Sequence, residues 1–234
     1  MKYISGGYFI VTPKKRPDYM DKDLIPDTIL SASKCLTDFY PNISVLWRHS
    51  NEAKQKYAQQ LNISQSTYEE MEKWVEENFS NKYKAGTLSY YNVFTTIEIA
   101  REFLSKFLSH LTDAKIIGIG LPEEYVEEFI EFENNPKEKQ YGIEQLLLHR
   151  ITIEESDSKL LGYEVIGFEG VEFHSYLCSG LEKDYKNLFG FTLNENGFIS
   201  TLEEATLFCD YTNDEELGEP VLYLPWGIFE YKIK

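Results

Sequence analysis

The segment Leu160–Asn187, LLGYEVIGFEGVEFHSYLCSGLEKDYKN, sets the reading of the whole chain. Leu160–Phe168 is a short apolar run rich in aromatic and β-branched residues, the composition of a buried strand. Gly170 supplies a turn. Beyond it, Phe173, Tyr176, Leu177, Gly180, Leu181 and Leu188 fall on one side of a helical wheel, which predicts an amphipathic helix. Strand-like runs recur near both ends of the sequence with helical patterns between them and no strict alternation. The expectation is an α+β domain, a mixed β-sheet of about four to five strands covered by amphipathic helices. One domain over residues 1–234 is the simplest division, with the acidic connection near 151–159 as the best place for a subdivision.

Upstream, Ala114–Leu121 reads as a buried strand and Pro122 to about Glu133 as a short helix. Thr95-Thr96-Ile97-Glu98 is a capping box opening a core helix, in which Ala100, Phe103, Leu104, Phe107, Leu108 and Leu111 keep the i, i+3, i+4 rule. Ser66-Thr67-Tyr68-Glu69 opens another helix, and Asn51–Leu61 forms a polar one. Ile43–Arg48 is expected as a short strand, and Pro26–Tyr40 as a helix with Pro26 in its first turn. Tyr3–Thr12 reads as the first strand, with Gly6-Gly7 as a bulge. Gly142–Arg150 reads as a short helix. Downstream, Asn194–Gly197 is a turn, Ser200-Thr201-Leu202-Glu203 caps a helix to about Tyr211, and Val221–Ile233 is a last strand. Pro225 inside that strand calls for a sheet edge or a bulge.

The composition bounds the function. An apolar fraction of 42%, including 17 Tyr and 15 Phe, is enough to build a core. The formal net charge of -16 sets the chain against phosphates and anionic membranes, so neither nucleic acid nor membrane is expected as a partner. It favours a basic protein, although solubility alone also explains acidity. Cys35, Cys178 and Cys209 are too sparse for a disulfide framework, and no apolar run approaches a membrane span or a secretory h-region. A cytoplasmic location is expected, so the Asn42-Ile43-Ser44 and Asn62-Ile63-Ser64 acceptors carry no weight.

Chemical motifs are few. Gly118-Ile119-Gly120 lies where a dinucleotide fingerprint would, but the third glycine position is Glu123, and carboxylates at a helix start repel a pyrophosphate. A tight strand-to-helix turn accounts for the glycines. His174 and Cys178, four residues apart, would share a helix face, and an imidazole beside a thiol can activate it. That pair is the alternative reading, a small cytosolic enzyme, although neither an orienting group nor an oxyanion site is evident. A zinc site would need His49, His110, His149 or Cys209 to join them; no metal and no cofactor are expected. The most distinctive charge feature is the helix after Pro122. At 100° per residue, Glu123, Glu124, Glu127, Glu128 and Glu131 fall within an arc of roughly 140°, opposite Tyr125, Val126, Phe129, Ile130 and Phe132. Such a face is either solvated or a docking surface for a basic protein.

Three segments, LGYEVIGFEGVEFHSYLCSGLE, KIIGIGLPEEYVEEF and EPVLYLPWGIFEY, resemble an uncharacterised group of bacterial cytoplasmic proteins of the kind found as immunity proteins beside polymorphic toxins. The resemblance implies a cytosolic inhibitor that binds a cognate toxin domain. It assigns no residue roles. The five glutamates are the contacts this reading selects.

Overall fold

The computed structural model describes residues 1–47, 50–80, 86–89, 92–133, 143–169 and 172–233. Its centre is a curled antiparallel sheet. The strands are β1 (Tyr3–Lys15), β2 (Thr28–Ile29), β3 (Thr37–Tyr40), β4 (Lys115–Pro122), β5 (Ser158–Glu169), β6 (Glu172–Ser175) and β7 (Tyr223–Tyr231). The order is β2-β1-β4-β7-β5-β6, with β3 also pairing β1. The α+β class holds, with seven strands among the described residues rather than four or five, and every pairing between these strands is antiparallel.

Both faces of the sheet are buried. Helices α2 (Asn51–Gln60), α3 (Gln65–Asn78), α4 (Ile97–Phe107), α7 (Glu182–Phe189) and α8 (Leu202–Asp214) build the larger core. Helices α5 (Val126–Phe132) and α6 (Ile143–Leu148) cover the other face. One residue of bulge decides which side chain meets which core. In β1, Tyr3 faces the larger core and Ile4 the smaller one; after the register shift between Ser5 and Gly7, Tyr8 and Ile10 face the larger and Phe9 and Val11 the smaller. The parity inverts because side chains alternate with period two and the bulge adds one residue. The expected bulge at Gly6-Gly7 is therefore present, with Gly7 at φ 98°. A second shift in β5, between Leu160 and Gly162, inverts parity in the same way.

Gly118 and Gly120 lie within β4, not in a strand-to-helix turn. A Cβ at Gly118 would meet Tyr231 at 2.9 Å, and one at Gly120 would meet Tyr3 at 3.0 Å and Phe229 at 3.1 Å. These glycines make room for aromatic rings packed over the strand. Pro225 also finds its place. β7 is a central strand, but its pairing with β4 spans only Gly227–Tyr231, so residues 223–226 have β5 alone beside them.

Several expectations are overturned. Pro26–Tyr40 is not a helix but β2, a loop and β3. Serine and threonine side chains capture its amides: Ser31 N–H donates to Thr37 Oγ1 (2.8 Å) and Ser33 N–H to Ser31 Oγ (2.9 Å). Such local bonds compete with the helical ladder. Ile43–Leu46 is a helical turn, α1, capped by Asn42, whose Oδ1 accepts from Val45 N–H at 3.2 Å. The capping residues are Ser64, Thr96 and Thr201, one or two positions from those expected. The 151–157 connection is tied to β1, Ser5 N–H donating to Ile151 O (2.7 Å) and Ile153 N–H to Tyr3 O (3.1 Å).

Candidate functional site

The acidic helix begins where β4 ends. A 3₁₀ turn, Glu123–Tyr125, leads from Pro122 into α5, and burial of Val126 and Phe129 fixes the helix against the smaller core. Phe129 packs edge-on to Trp226 at 6.0 Å. This anchoring turns Glu123, Glu124, Glu127, Glu128 and Glu131 outward, and all five are exposed. Phe132 departs from its expected side and is 46% exposed. Two of the glutamates are partnered: Glu123 with Lys2 (2.5 Å), and Glu127 with Arg150. Both are surface pairs of small energetic weight. Glu124, Glu128 and Glu131 have no basic partner among the described residues.

A second acidic helix lies beside the first, and the sequence reading did not find it. Tyr125 packs against both cores, and its hydroxyl meets Thr206 Oγ1 of α8 at 2.6 Å. At the other end of α5, Phe132 shares a cavity of about 380 Å³ with Thr212, Glu216, Leu217 and Leu222. These two contacts bring α5 and α8 near each other at Tyr125 and at Phe132. Glu203, Glu204, Asp210, Asp214, Glu215, Glu216 and Glu219 on α8 and in the turn beyond are all exposed. Glu203 and Asp210, three before and four after Thr206, stand on the edge nearest α5. Leu207, 46% exposed, sits among these acids. Two groups of exposed carboxylates therefore lie near each other, with Phe132 and Leu207 exposed among them. A signal existed in the sequence: Asn187–Tyr231 contains no Lys, Arg or His.

The Cys178 and His174 pair does not survive as read. His174 is on β6, opposite Gly167, and Cys178 lies in the 3₁₀ turn Tyr176–Ser179 that follows, so they share no helix face. Period two wins locally because Phe173 fills the smaller core beside Phe9 and Trp226 while Ser175 is fully buried. Gly170, the expected turn, lies outside the described residues. Burial pushes the Cys178 thiol up to about 11, against the lesser influence of its bond to Ser33 Oγ (3.3 Å). A thiol held protonated is a poor nucleophile.

That neighbourhood instead contains a buried carboxylate that the sequence reading missed. Glu164 of β5 is 2% exposed. It accepts from Ser31 Oγ–H at 2.6 Å, from Ala32 N–H at 3.1 Å and from the Ser175 side chain. Burial raises its pKa, with those donors opposing. The arrangement pins the 31–36 loop to β5 and β6, and Glu164 lines neither of the two larger concavities among the described residues.

The possible metal ligands are dispersed. His110 Nε2 bonds to Leu61 O at 2.6 Å, Cys209 is buried in α8, His149 is exposed, and His49 lies outside the described residues. No three His, Cys, Asp or Glu side chains among the described residues come together as a metal site. No described helix is long and apolar enough to cross a membrane. Comparisons with protein families, with characterised proteins and with solved structures find no match for this chain.

Proposed function

We propose that the chain is a non-catalytic acidic binding protein, an immunity-type inhibitor that covers the basic site of a toxin or nuclease domain in the cytoplasm. The observation that supports this is the joint surface of α5 and α8. Carboxylates of Glu124, Glu128, Glu131, Asp210 and Glu216, without a basic partner among the described residues, lie around exposed Phe132 and Leu207 and a cavity beside Phe132. Protein interfaces combine an apolar anchor with a polar rim, and a field of one sign speeds encounter with a partner of the other. The mechanism is steric and electrostatic blockade: carboxylates occupy positions a basic site keeps for phosphates. No bond is made or broken.

The test is capture from the native cell lysate on immobilised wild-type protein at low and moderate salt, with mass spectrometry of what is retained. The proposal expects one basic protein, released as salt rises, whose toxic or nuclease activity falls when the chain is added back. Retention of no basic protein at low salt, or of one whose activity is unaffected, would overturn it.

A further inference from the structure

The cavity beside the last residue of α5 has a composition of its own. It holds about 380 Å³, at the small end of the range of ligand sites, which suits one side chain rather than a cofactor. Phe132 forms one wall. Leu217, Pro220, Val221 and Leu222, from the turn between α8 and β7, supply the apolar remainder. Glu216 and Glu219 line it as well.

The turn that walls the cavity is held from behind. Asn213 clasps Tyr223 in both directions: Tyr223 N–H donates to Asn213 Oδ1 at 2.9 Å, and Asn213 Nδ2 donates to Tyr223 O at 3.0 Å. Tyr223 is fully buried, and its hydroxyl accepts from Glu219 N–H at 3.0 Å. Leu217 N–H donates to Thr212 O at 2.9 Å and Val221 N–H to Glu219 O at 2.8 Å. Glu216 and Gly218, at φ 51° and 78°, make the two left-handed steps that these bonds require. A wall whose backbone is already bonded needs no ordering by its occupant, so less of the binding energy is lost.

The lining selects the occupant. Glu216 and Glu219 are its only ionisable side chains, both are exposed, and neither has a basic partner among the described residues. The turn cannot supply one, because Asn187–Tyr231 contains no Lys, Arg or His. An acidic occupant is repelled. A purely apolar one strips water from the two carboxylates and gives nothing back. A cation on an aliphatic stem satisfies both kinds of wall. The Phe132 ring, 46% exposed, favours arginine over lysine, since a planar, weakly hydrated guanidinium stacks on an aromatic face.

We propose that this cavity receives an arginine side chain of the partner protein, with its stem against Leu217, Val221 and Leu222 and its guanidinium at the Phe132 ring and the Glu216 and Glu219 carboxylates. The inference rests on the docking reading above and sharpens it by naming the anchor of the interface.

Two measurements on the full chain test it. The ¹⁵N-labelled chain is titrated with N-acetyl-arginine-methylamide, and with its lysine and citrulline analogues, up to about 20 mM. Saturable shifts confined to Phe132 and residues 212–222 are expected with arginine, binding about threefold weaker with lysine, and no shifts with citrulline. The double variant Phe132→Ala, Glu219→Gln, at two exposed positions, should lose the arginine shifts and keep its unfolding midpoint. No saturation, shifts spread evenly over the acidic surface, or equal binding of the lysine analogue would overturn the proposal. Capture from lysate at low salt separates it from the docking reading. Retention of the basic partner should fall at least about tenfold in the double variant. A partner held equally by wild type and variant overturns the arginine anchor and leaves the docking reading standing. No partner held by the wild type overturns the docking reading, and the titration alone then decides the cavity.

Discussion

Two groups of carboxylates in this protein have opposite surroundings. Glu164 is sealed inside, with Ser31, Ala32 and Ser175 donating to it, beside the Cys178 thiol that bonds to Ser33. Glu124, Glu128, Glu131, Asp210 and Glu216 stand in solvent on α5, α8 and the turn beyond. The first group holds a loop in place and presents nothing to a ligand. The second contributes little to folding and presents charge to whatever approaches. The neighbourhood of the Cys and His pair is thus built around a buried carboxylate, while the run of glutamates after Pro122 is half of the surface proposed for docking. The difference lies in desolvation: a buried carboxylate must be bonded to persist, and an exposed one is available because it is not.

The comparison breaks most readily at Glu164. Replacing it with Ala strips an acceptor from three buried donors and should cost about 3 kcal/mol or more, read as a lowered urea midpoint; a loss below about 1 kcal/mol would mean the donors find water instead. Next in size is thiol reactivity. With its pKa near 11 rather than the ordinary 9.0, Cys178 should alkylate about a hundredfold more slowly at pH 8 than an exposed thiol, because so little of it is thiolate. Peptide mapping after timed iodoacetamide treatment reads this out, and rapid labelling of Cys178 would restore weight to the enzyme reading.

A smaller effect is the pH dependence of stability. The folded state raises the Glu164 pKa above its ordinary 4.5, so folding takes up a proton at this site. The stability this confers is fully present below the unfolded value and is lost as pH rises through the folded one. Relative to Glu164→Gln, wild-type stability should therefore decline on going up from about pH 4.5, by at most about 1.4 kcal/mol per pH unit. Parallel curves for the two proteins would place the carboxylate outside the low-dielectric interior. The smallest expected change in stability belongs to the exposed group. Glu124→Lys, Glu128→Lys, Asp210→Lys and Glu216→Lys combined should shift unfolding by less than about 1 kcal/mol, since lost helix-dipole stabilisation and relieved repulsion oppose each other.

The strongly periodic elements were legible in the sequence. β1, β4, β7 and α4 stand close to where the apolar pattern puts them, because each buries most of its length. β2, β3 and β6 were not legible. Two to four residues carry too little period to compete with a helical wheel, and Ser31 is held by Glu164, far away in the chain. The acidic face was half legible. The glutamates of α5 are clustered in sequence, whereas those of α8 are spaced among core residues and join the face only because Tyr125 meets Thr206.

The central claim is that the α5 and α8 carboxylates bind a basic protein, and the most direct measurement is retention of the captured partner by the fourfold lysine variant at low salt. Loss of at least about tenfold in retention, with the unfolding midpoint unchanged and with Glu164→Gln retaining the partner as the wild type does, is the predicted result. Undiminished retention by the folded lysine variant would contradict the claim and move the interface elsewhere on the molecule.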